Sequence, residues 1–203
     1  MDDHLHAFLR VLDPADNTVG GGTASAVAGA MAAALVGMVA RLSPGKAAVQ
    51  EDATFYRELA AEAEALSVEL MRGGSEDALG FDAVQAAYRL PRQDDAQKAE
   101  RQRAIRQAWL DATQVPVADA GRCARVLGLC ARLQGRANPK AASDLECAGH
   151  LARAGLLGCV ATAEINLPHI HDEAAAQLRA RLCQLRGSLH EWAAPDLTGL
   201  EDL

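Results

Sequence analysis

The stretch from Thr23 to Ala40 most constrains the fold, because it is long, apolar and free of charged residues. Alanine and glycine dominate it, and Gly29, Ala33 and Gly37 recur at four-residue intervals. Small residues at this spacing form one face of a helix and let a second helix approach closely. The stretch is close to the length of a membrane span, but its composition favours the buried central helix of a soluble protein. We therefore expect no membrane association.

The remaining sequence predicts one helical domain. Half of the 203 residues are hydrophobic but only 3% are aromatic, so Ala, Leu, Val and Gly must fill the core. Neither an alternating strand pattern of useful length nor an internal repeat is present. We predict a single all-α domain over residues 1–203, orthogonal or bundle-like, with about seven to nine helices around the Ala/Gly-rich central helix. Residues 193–203 are expected to form a loose tail.

Glycine and proline predict where these helices end. Ser43-Pro44-Gly45 breaks the central helix, and Gly73-Gly74 is expected to end the next one. Leu90-Pro91 stops a further helix, and Pro116 is expected to kink or restart the chain. Leu167-Pro168 separates the last two helices, the second of which is expected over residues 172–192.

Charge and cysteine content restrict the partners and the compartment. The net charge is −7 and no Lys/Arg run is present, so we expect no nucleic-acid partner. The five cysteines form no Cys-x-x-Cys pair, and their number is odd. We interpret them as reduced core residues of a cytoplasmic protein. The acidic beginning of the chain is unlike a signal peptide.

The segment from Gly135 to Asp144 predicts a helix start with an acid on the apolar side. Asn138 is a favourable N-cap, and Pro139 suits the first helical turn. At about 100° per residue, Asp144 then lies in line with Ala148, Leu151 and Gly155. A charged group in such a position is a candidate site residue. The alternative is an ordinary helix acid, paired with Lys140 or lying between the two faces.

Several short motifs occur in a characteristic order along the chain. They begin with Gly20-Gly21-Gly22-Thr23 and continue with Leu42-Ser43, Gly45-Lys46, Asp77, Phe81, Ala83-Val84, Ala87-Tyr88-Arg89-Leu90-Pro91, Val115-Pro116, Asn138-Pro139-Lys140-Ala141-Ala142-Ser143-Asp144 and Ile165-Asn166-Leu167. In this order and spacing, the motifs resemble the cyclodeaminase/cyclohydrolase family of folate enzymes. The chain departs from the family's usual pattern at residues 17–19, Arg41, Ala47-Ala48, Thr162 and Glu164.

The resemblance implies an all-helical homodimer that binds tetrahydrofolate in a groove near the subunit interface. It implies that Asp144 is the principal catalytic carboxylate. The implied reaction is at a C–N bond of N5 or N10, either hydrolysis of methenyltetrahydrofolate or cyclodeamination of formiminotetrahydrofolate. No tightly bound cofactor and no metal are expected, because His169-Ile170-His171 has no third ligand at a telling spacing. The alternative is a helical dimer that binds folate or another anion without turnover.

We expect these residues to contact the substrate: Gly20, Gly21, Gly22, Thr23, Lys46, Tyr88, Pro91, Asn138, Lys140 and Ser143. The glycines could expose N–H groups to the ligand at a helix N-terminus, or could serve a tight turn with positive φ. Lys46 and Lys140 could bind the glutamate tail or tune Asp144, or could be solvated lysines. Tyr88 could line the pteridine slot or join the core. Ser143 could donate to the ligand or bond back to its own helix.

Overall fold

The described residues fold into antiparallel helices packed around a central one. A computed structural model describes residues 9–16, 19–49, 51–171, 173–190 and 192–193. The α-helices with both ends in these ranges are α1 (Gly21–Leu42), α2 (Ala53–Tyr88), α3 (Asp95–Leu133), α4 (Ala142–Asn166) and α5 (Glu173–Gly187). Short 3-10 helices cover Pro139–Ala141, Leu167–His169 and Ser188–His190. No strand occurs in the ranges described, and the predicted all-α class is confirmed.

The Ala/Gly-rich helix α1 is the centre of the domain, as predicted. Its small residues face neighbouring helices: Gly29 lies against Leu70 of α2 and Cys123 of α3, and Gly37 lies against Ala60 of α2. The stripe that contains Gly29 and Gly37 therefore packs within the subunit. By length and composition alone α1 could cross a membrane, and 61% of its most apolar window is buried inside the protein.

The helices α1 and α4 run antiparallel. At one end, Thr162 of α4 lies 3.8 Å from the position of a Cβ on Gly21. At the other end, the Asn138 amide donates to the Leu42 carbonyl at 3.3 Å. With a rise of 1.5 Å per residue, the two ends of α1 are about 30 Å apart. Gly21 and Asn138 therefore lie at opposite ends of the domain.

The predicted helix end at Gly73-Gly74 is wrong, and so is the alternative that the chain restarts at Pro116, so α2 and α3 are longer than expected. Helix α2 continues through Gly73-Gly74, because Gly74 packs against Thr23 of α1 and Gly73 packs against the Asp119 carboxylate. These glycines serve close helix contacts rather than a helix end.

Helix α3 likewise continues through Pro116, which is buried. Proline has no N–H and leaves the carbonyl four residues earlier without its helical partner. That carbonyl belongs to Ala112, and the Asn166 amide donates to it at 3.3 Å. A side chain from α4 therefore replaces the missing hydrogen bond.

Other expectations near the ends of the elements have mixed outcomes. Asn138 caps the 3-10 turn, since its side chain accepts from the Lys140 N–H at 3.1 Å, and the break at Leu167-Pro168 is confirmed.

Cys123, Cys130 and Cys159 are buried as predicted, but the prediction is wrong for the other two, Cys147 and Cys183, which are exposed. The tail over residues 194–203 lies outside the described residues.

Candidate functional site

A cleft of about 220 Å³ opens at the start of α1. Its walls come from the Gly20–Gly22 segment at the start of α1, here called the glycine turn, from the C-terminal parts of α2 and α4, and from the middle of α3. The lining residues are Gly20, Gly21, Gly22, Asp77, Phe81, Trp109, Ala112, Thr162, Ile165 and Asn166. The cleft therefore combines exposed backbone, apolar surface and a carboxylate.

The Asp77 carboxylate lies directly against the first turn of α1. Its Oδ2 accepts a hydrogen bond from the Thr23 hydroxyl at 3.0 Å, and the same hydroxyl lies 3.1 Å from the Gly74 carbonyl. A Cβ on Gly22 would be 2.5 Å from Asp77 Oδ1. Only glycine at position 22 lets the carboxylate approach the helix so closely. Asp77 thus supplies the negative charge that a helix N-terminus favours.

Burial raises the pKa of Asp77, and the hydrogen bonds from the Thr23 side chain and backbone oppose that rise. The upward direction means that removal of water outweighs the local donors. A carboxyl with a raised pKa exchanges protons closer to neutral pH than an ordinary aspartate does. Asp77 is therefore suited to acid–base chemistry in the cleft.

A second acid, Asp119 of α3, lies one turn of α2 away from Asp77, against Gly73. It is 1% exposed. Burial raises its pKa to about 6, although Arg122 donates to its Oδ1 at 2.6 Å and favours ionisation. The charges of Asp77 and Glu76 raise it further. The charge of Asp77 therefore acts on the pKa of Asp119 across the contact between α2 and α3.

Trp109 and Asn166 add an aromatic ring and an amide to the lining of the cleft. The Trp109 ring stacks on His169 with centroids 4.0 Å apart, and its Nε1 donates to the Tyr88 hydroxyl at 3.3 Å. Asn166 is held by its bond to Ala112, which leaves its side-chain oxygen available to a ligand. A flat heterocycle in the cleft would thus lie beside Trp109, with polar groups at its edges.

The structure brings some of the predicted site residues together in this cleft. Gly20, Gly21 and Gly22 line it, and the buried Thr23 holds Asp77. The positive-φ glycines in the described part of the chain are Gly45 and Gly135, so the alternative of a positive-φ turn at the triple glycine is wrong. The close approach of the Asp77 carboxylate explains why residue 22 is a glycine.

Tyr88 and Pro91 do not line the cleft. Tyr88 is 45% exposed and borders a neighbouring cavity, so the alternative of a core role is wrong. Pro91 is exposed after the end of α2.

The remaining predicted residues lie at the other end of the domain. They are Lys46, Asn138, Lys140, Ser143 and Asp144. The buried Asn138 joins this group to the end of α1, because its N–H donates to the Ser43 hydroxyl at 2.9 Å. Lys46, Lys140 and Ser143 are exposed.

Asp144 is half-buried in the first turn of α4 and makes no ion pair among the described residues. Its neighbours Leu145 and Ala148 are buried, which places Asp144 at the border of the apolar face. Along α4 it lies about 27 Å from Thr162 of the cleft. One subunit therefore does not bring Asp144 to the glycine turn, and its catalytic role stays a prediction.

Within the described ranges, no three His, Cys, Asp or Glu side chains come close enough to hold a metal. His169 and His171 border the cavity beside Tyr88 instead.

The comparison with known proteins decides the family. Residues 4–184 match the family model described as formiminotransferase-cyclodeaminase. The chain belongs to this family. It is 35% identical to the methenyltetrahydrofolate cyclohydrolase of Methylorubrum extorquens, over 95% of this chain and 92% of that protein. It is 31% identical to the formimidoyltransferase-cyclodeaminase of Sus scrofa, over 97% of this chain but 37% of that protein.

A solved structure shares the fold of this family member. The formiminotetrahydrofolate cyclodeaminase of Thermotoga maritima matches with a TM-score of 0.77 and 23% identity, covering 90% of this chain and 88% of that chain. At this identity the likeness supports the helical architecture.

The structure accounts for three departures from the usual family pattern. Thr162 lines the cleft and donates to the Gly158 carbonyl at 3.0 Å. Glu164 pairs with Arg186 at 2.7 Å, and Arg41 lies 3.8 Å from Glu64. Glu164 and Arg41 therefore have partners of their own. Residues 17 and 18 lie outside the described part.

Sequence reasoning did not identify Asp77, Trp109 or Asn166 as site residues. In the sequence, Asp77 and Asn166 stand out only as positions of the family pattern. Asp77 lies seven residues after Leu70 on the apolar face of α2, and an acid in that position is the local signal that could have found it. The signal that could have found Asn166 is Pro116, since a proline within a helix requires a replacement donor nearby.

Proposed function

We propose that this protein is a folate-dependent one-carbon enzyme that acts on a C–N bond at N5 or N10 of tetrahydrofolate in the cleft at the start of α1. Family membership and the similarity to a methenyltetrahydrofolate cyclohydrolase over nearly the whole of both chains support the class of reaction. The observation that carries the choice of site is the Asp77 carboxylate at the base of an aromatic-walled cleft. The proposal includes a cytoplasmic enzyme with no tightly bound cofactor.

The charge of Asp77 matches the folate head group. A pterin ring presents N–H donors along one edge, and the methenyl form carries a positive charge on its one-carbon bridge. A carboxylate accepts such donors and stabilises a nearby cation. Because Asp77 already occupies the N-terminus of α1, the glycine turn suits this head group better than the anionic tail.

For the cyclohydrolase reaction, Asp77 first acts as a base. It removes a proton from water as the water oxygen bonds to the methenyl carbon. The protonated carboxyl then gives that proton to N5 as the bond between the carbon and N5 breaks. Loss of the remaining hydroxyl proton to solvent leaves 10-formyltetrahydrofolate. A raised pKa favours both transfers near neutral pH.

The same carboxylate serves the cyclodeaminase reaction. The formimino group reacts in its protonated amidinium form: N10 attacks the carbon on N5 and gives its proton to the base, which leaves an –NH2 group on that carbon. The acid then protonates the departing nitrogen, which leaves as ammonia as its bond to carbon breaks. Both schemes need one group that accepts and returns a proton.

A homodimer formed through α1 provides the interface that the family resemblance implies. Apolar side chains that are exposed or half-buried recur on α1 at alternating spacings of four and three residues: Ala24, Ala28, Met31, Leu35, Met38 and Leu42. This spacing is typical of a seam between two helices. A two-fold axis near Met31 would pair α1 with its copy in antiparallel orientation.

This pairing completes the active site. It brings the glycine turn of one subunit close to the Asn138–Asp144 segment of the partner, because these groups lie at opposite ends of α1. We propose that Asp77 and the partner's Asp144 face the same folate, one on each side of the interface. Asp144 would then act in the site as the family resemblance implies.

Two assays on the purified protein test the proposed function. Hydrolysis of methenyltetrahydrofolate is followed by loss of its near-ultraviolet absorbance, with a no-protein control for the spontaneous reaction. Ammonia release from 5-formiminotetrahydrofolate is measured in parallel. We expect acceleration of at least one reaction. Folate binding in calorimetry without acceleration of either reaction would favour the non-catalytic binding dimer instead.

A further inference from the structure

A second cavity, of about 270 Å³, adjoins the cleft and shares the Trp109 side chain with it. The residues that line it are Tyr88, Gln102, Ile105, Arg106, Trp109, His169 and His171. The described lining contains a guanidinium and two imidazoles but no carboxylate. This is unusual for a chain with a net charge of −7. The cavity therefore has the opposite electrostatic character to the Asp77 cleft.

Arg106 supplies the cavity with an uncompensated cation. It makes no ion pair among the described residues, whereas Arg103, one turn earlier on α3, pairs with Glu100 at 2.9 Å. Arg106 thus keeps its donors for a ligand, and guanidinium groups match carboxylates in geometry.

The walls around Arg106 are held in place by side-chain contacts. Arg101 donates to the Tyr88 carbonyl at 3.1 Å and its guanidinium lies 5.5 Å from the Tyr88 ring centroid. Trp109 bonds to the Tyr88 hydroxyl and stacks on His169. A ligand in the cavity would therefore meet a formed wall of rings beside the free guanidinium.

We infer that this cavity binds the γ-linked glutamate tail of the substrate, with Arg106 as its principal carboxylate partner. The inference rests on the proposed function, because it takes the pterin head to lie in the adjoining cleft. A folate carries its p-aminobenzoyl ring between the head and the tail. Trp109, which borders both cavities, lies where that ring would pass. The assignment replaces Lys46 and Lys140 as the expected tail contacts within the same subunit, since both lie at the other end of α1.

The test compares Arg106→Gln with the control Arg103→Gln, which removes the same charge one turn away. Both side chains are exposed, so both variants should fold. The substrate is methenyltetrahydrofolate with either one glutamate or a γ-linked oligoglutamate. In Arg106→Gln we expect KM for the oligoglutamate form to rise about tenfold, the size of one charge-assisted hydrogen bond, with little change in kcat. In Arg103→Gln we expect both constants to stay near those of the wild type.

A binding measurement separates this inference from the proposed function. Calorimetry with p-aminobenzoyl-oligo-γ-glutamate, which has no pterin, needs no turnover. Weaker binding to Arg106→Gln than to wild type and Arg103→Gln supports the tail site even if neither folate reaction is accelerated. Equal binding to all three proteins overturns it, even if the enzyme is active.

Discussion

At the scale of single residues, the position of Asp77 gives the cleft its chemistry. The carboxylate borders the cleft on one side and accepts a hydrogen bond from the Thr23 hydroxyl on the other. An amide at this position accepts the same hydrogen bond but cannot take up a proton from water or N10. Its neutral form also avoids the cost of burying a charge.

We therefore predict that Asp77→Asn lowers kcat by about 100-fold or more, the usual contribution of a general acid–base group. Its thermal unfolding temperature should equal or exceed that of the wild type. The matched control is Asp82→Asn, an exposed acid on the same helix that does not line the cleft. Equal activity of Asp77→Asn and Asp82→Asn would remove Asp77 from the mechanism.

The burial of Asp119 predicts how the free energy of unfolding depends on pH. Burial raises its pKa from 3.8 to about 6, so between these values the folded protein binds a proton that the unfolded chain has released. The contribution of Asp119 to the free energy of unfolding is therefore greatest below the pKa of this group in the unfolded chain. It is lost as the pH rises through the pKa of this group in the folded protein.

The difference in free energy of unfolding between wild type and Asp119→Asn should fall by about 2 kcal/mol from about pH 4 to pH 7. Urea unfolding of both proteins at a series of pH values measures it. Because the variant lacks only this titrating group, contributions from other groups largely cancel. A difference that stays constant, or increases with pH, would contradict the assigned burial effect.

At the scale of helices, the contact between α1 and α2 depends on Gly22. A methyl group there would overlap the Asp77 carboxylate, whereas one on Gly20 meets nothing within 4 Å. We predict that Gly22→Ala lowers kcat/KM by about 100-fold through displacement of Asp77. Gly20→Ala should lower kcat/KM far less. Similar losses in both variants, measured with the same folate substrate, would mean that Asp77 need not lie against α1.

Local sequence rules predicted the helical class and the central helix but not the full extent of α2 and α3. Gly73-Gly74 and Pro116 end helices when only their own segment is considered. Here, packing against Asp119 and Thr23 stabilises the glycines, and Asn166 bonds to the carbonyl left open by Pro116. These are contacts between residues far apart in sequence, which a local pattern does not contain.

The same reason limited the prediction of the site. The sequence alone predicts the glycine turn because its residues are consecutive. Asp77 and Trp109 meet it only after α2 and α3 have packed. The segment from Asn138 to Asp144 has a capping pattern that predicts a helix start, and the structure confirms the cap at Asn138. That this segment lies about 30 Å from the turn follows from the antiparallel course of α1 and α4.

At the scale of the whole molecule, this separation requires a second subunit if both acids act on one folate. A dimer paired through the seam on α1 has two active sites, each with Asp77 from one chain and Asp144 from the other. Either single substitution then inactivates both sites of its own homodimer. A heterodimer of the two variants keeps one site with both acids intact.

The most direct test is therefore the heterodimer of Asp77→Asn and Asp144→Asn, assembled with a different affinity tag on each chain and purified through both. Its rate of methenyltetrahydrofolate hydrolysis is compared with those of the two variant homodimers and the wild type. We predict inactive homodimers and a heterodimer with about half of the wild-type activity. A heterodimer as inactive as its parents, or an Asp144→Asn homodimer with wild-type activity, would contradict the shared active site.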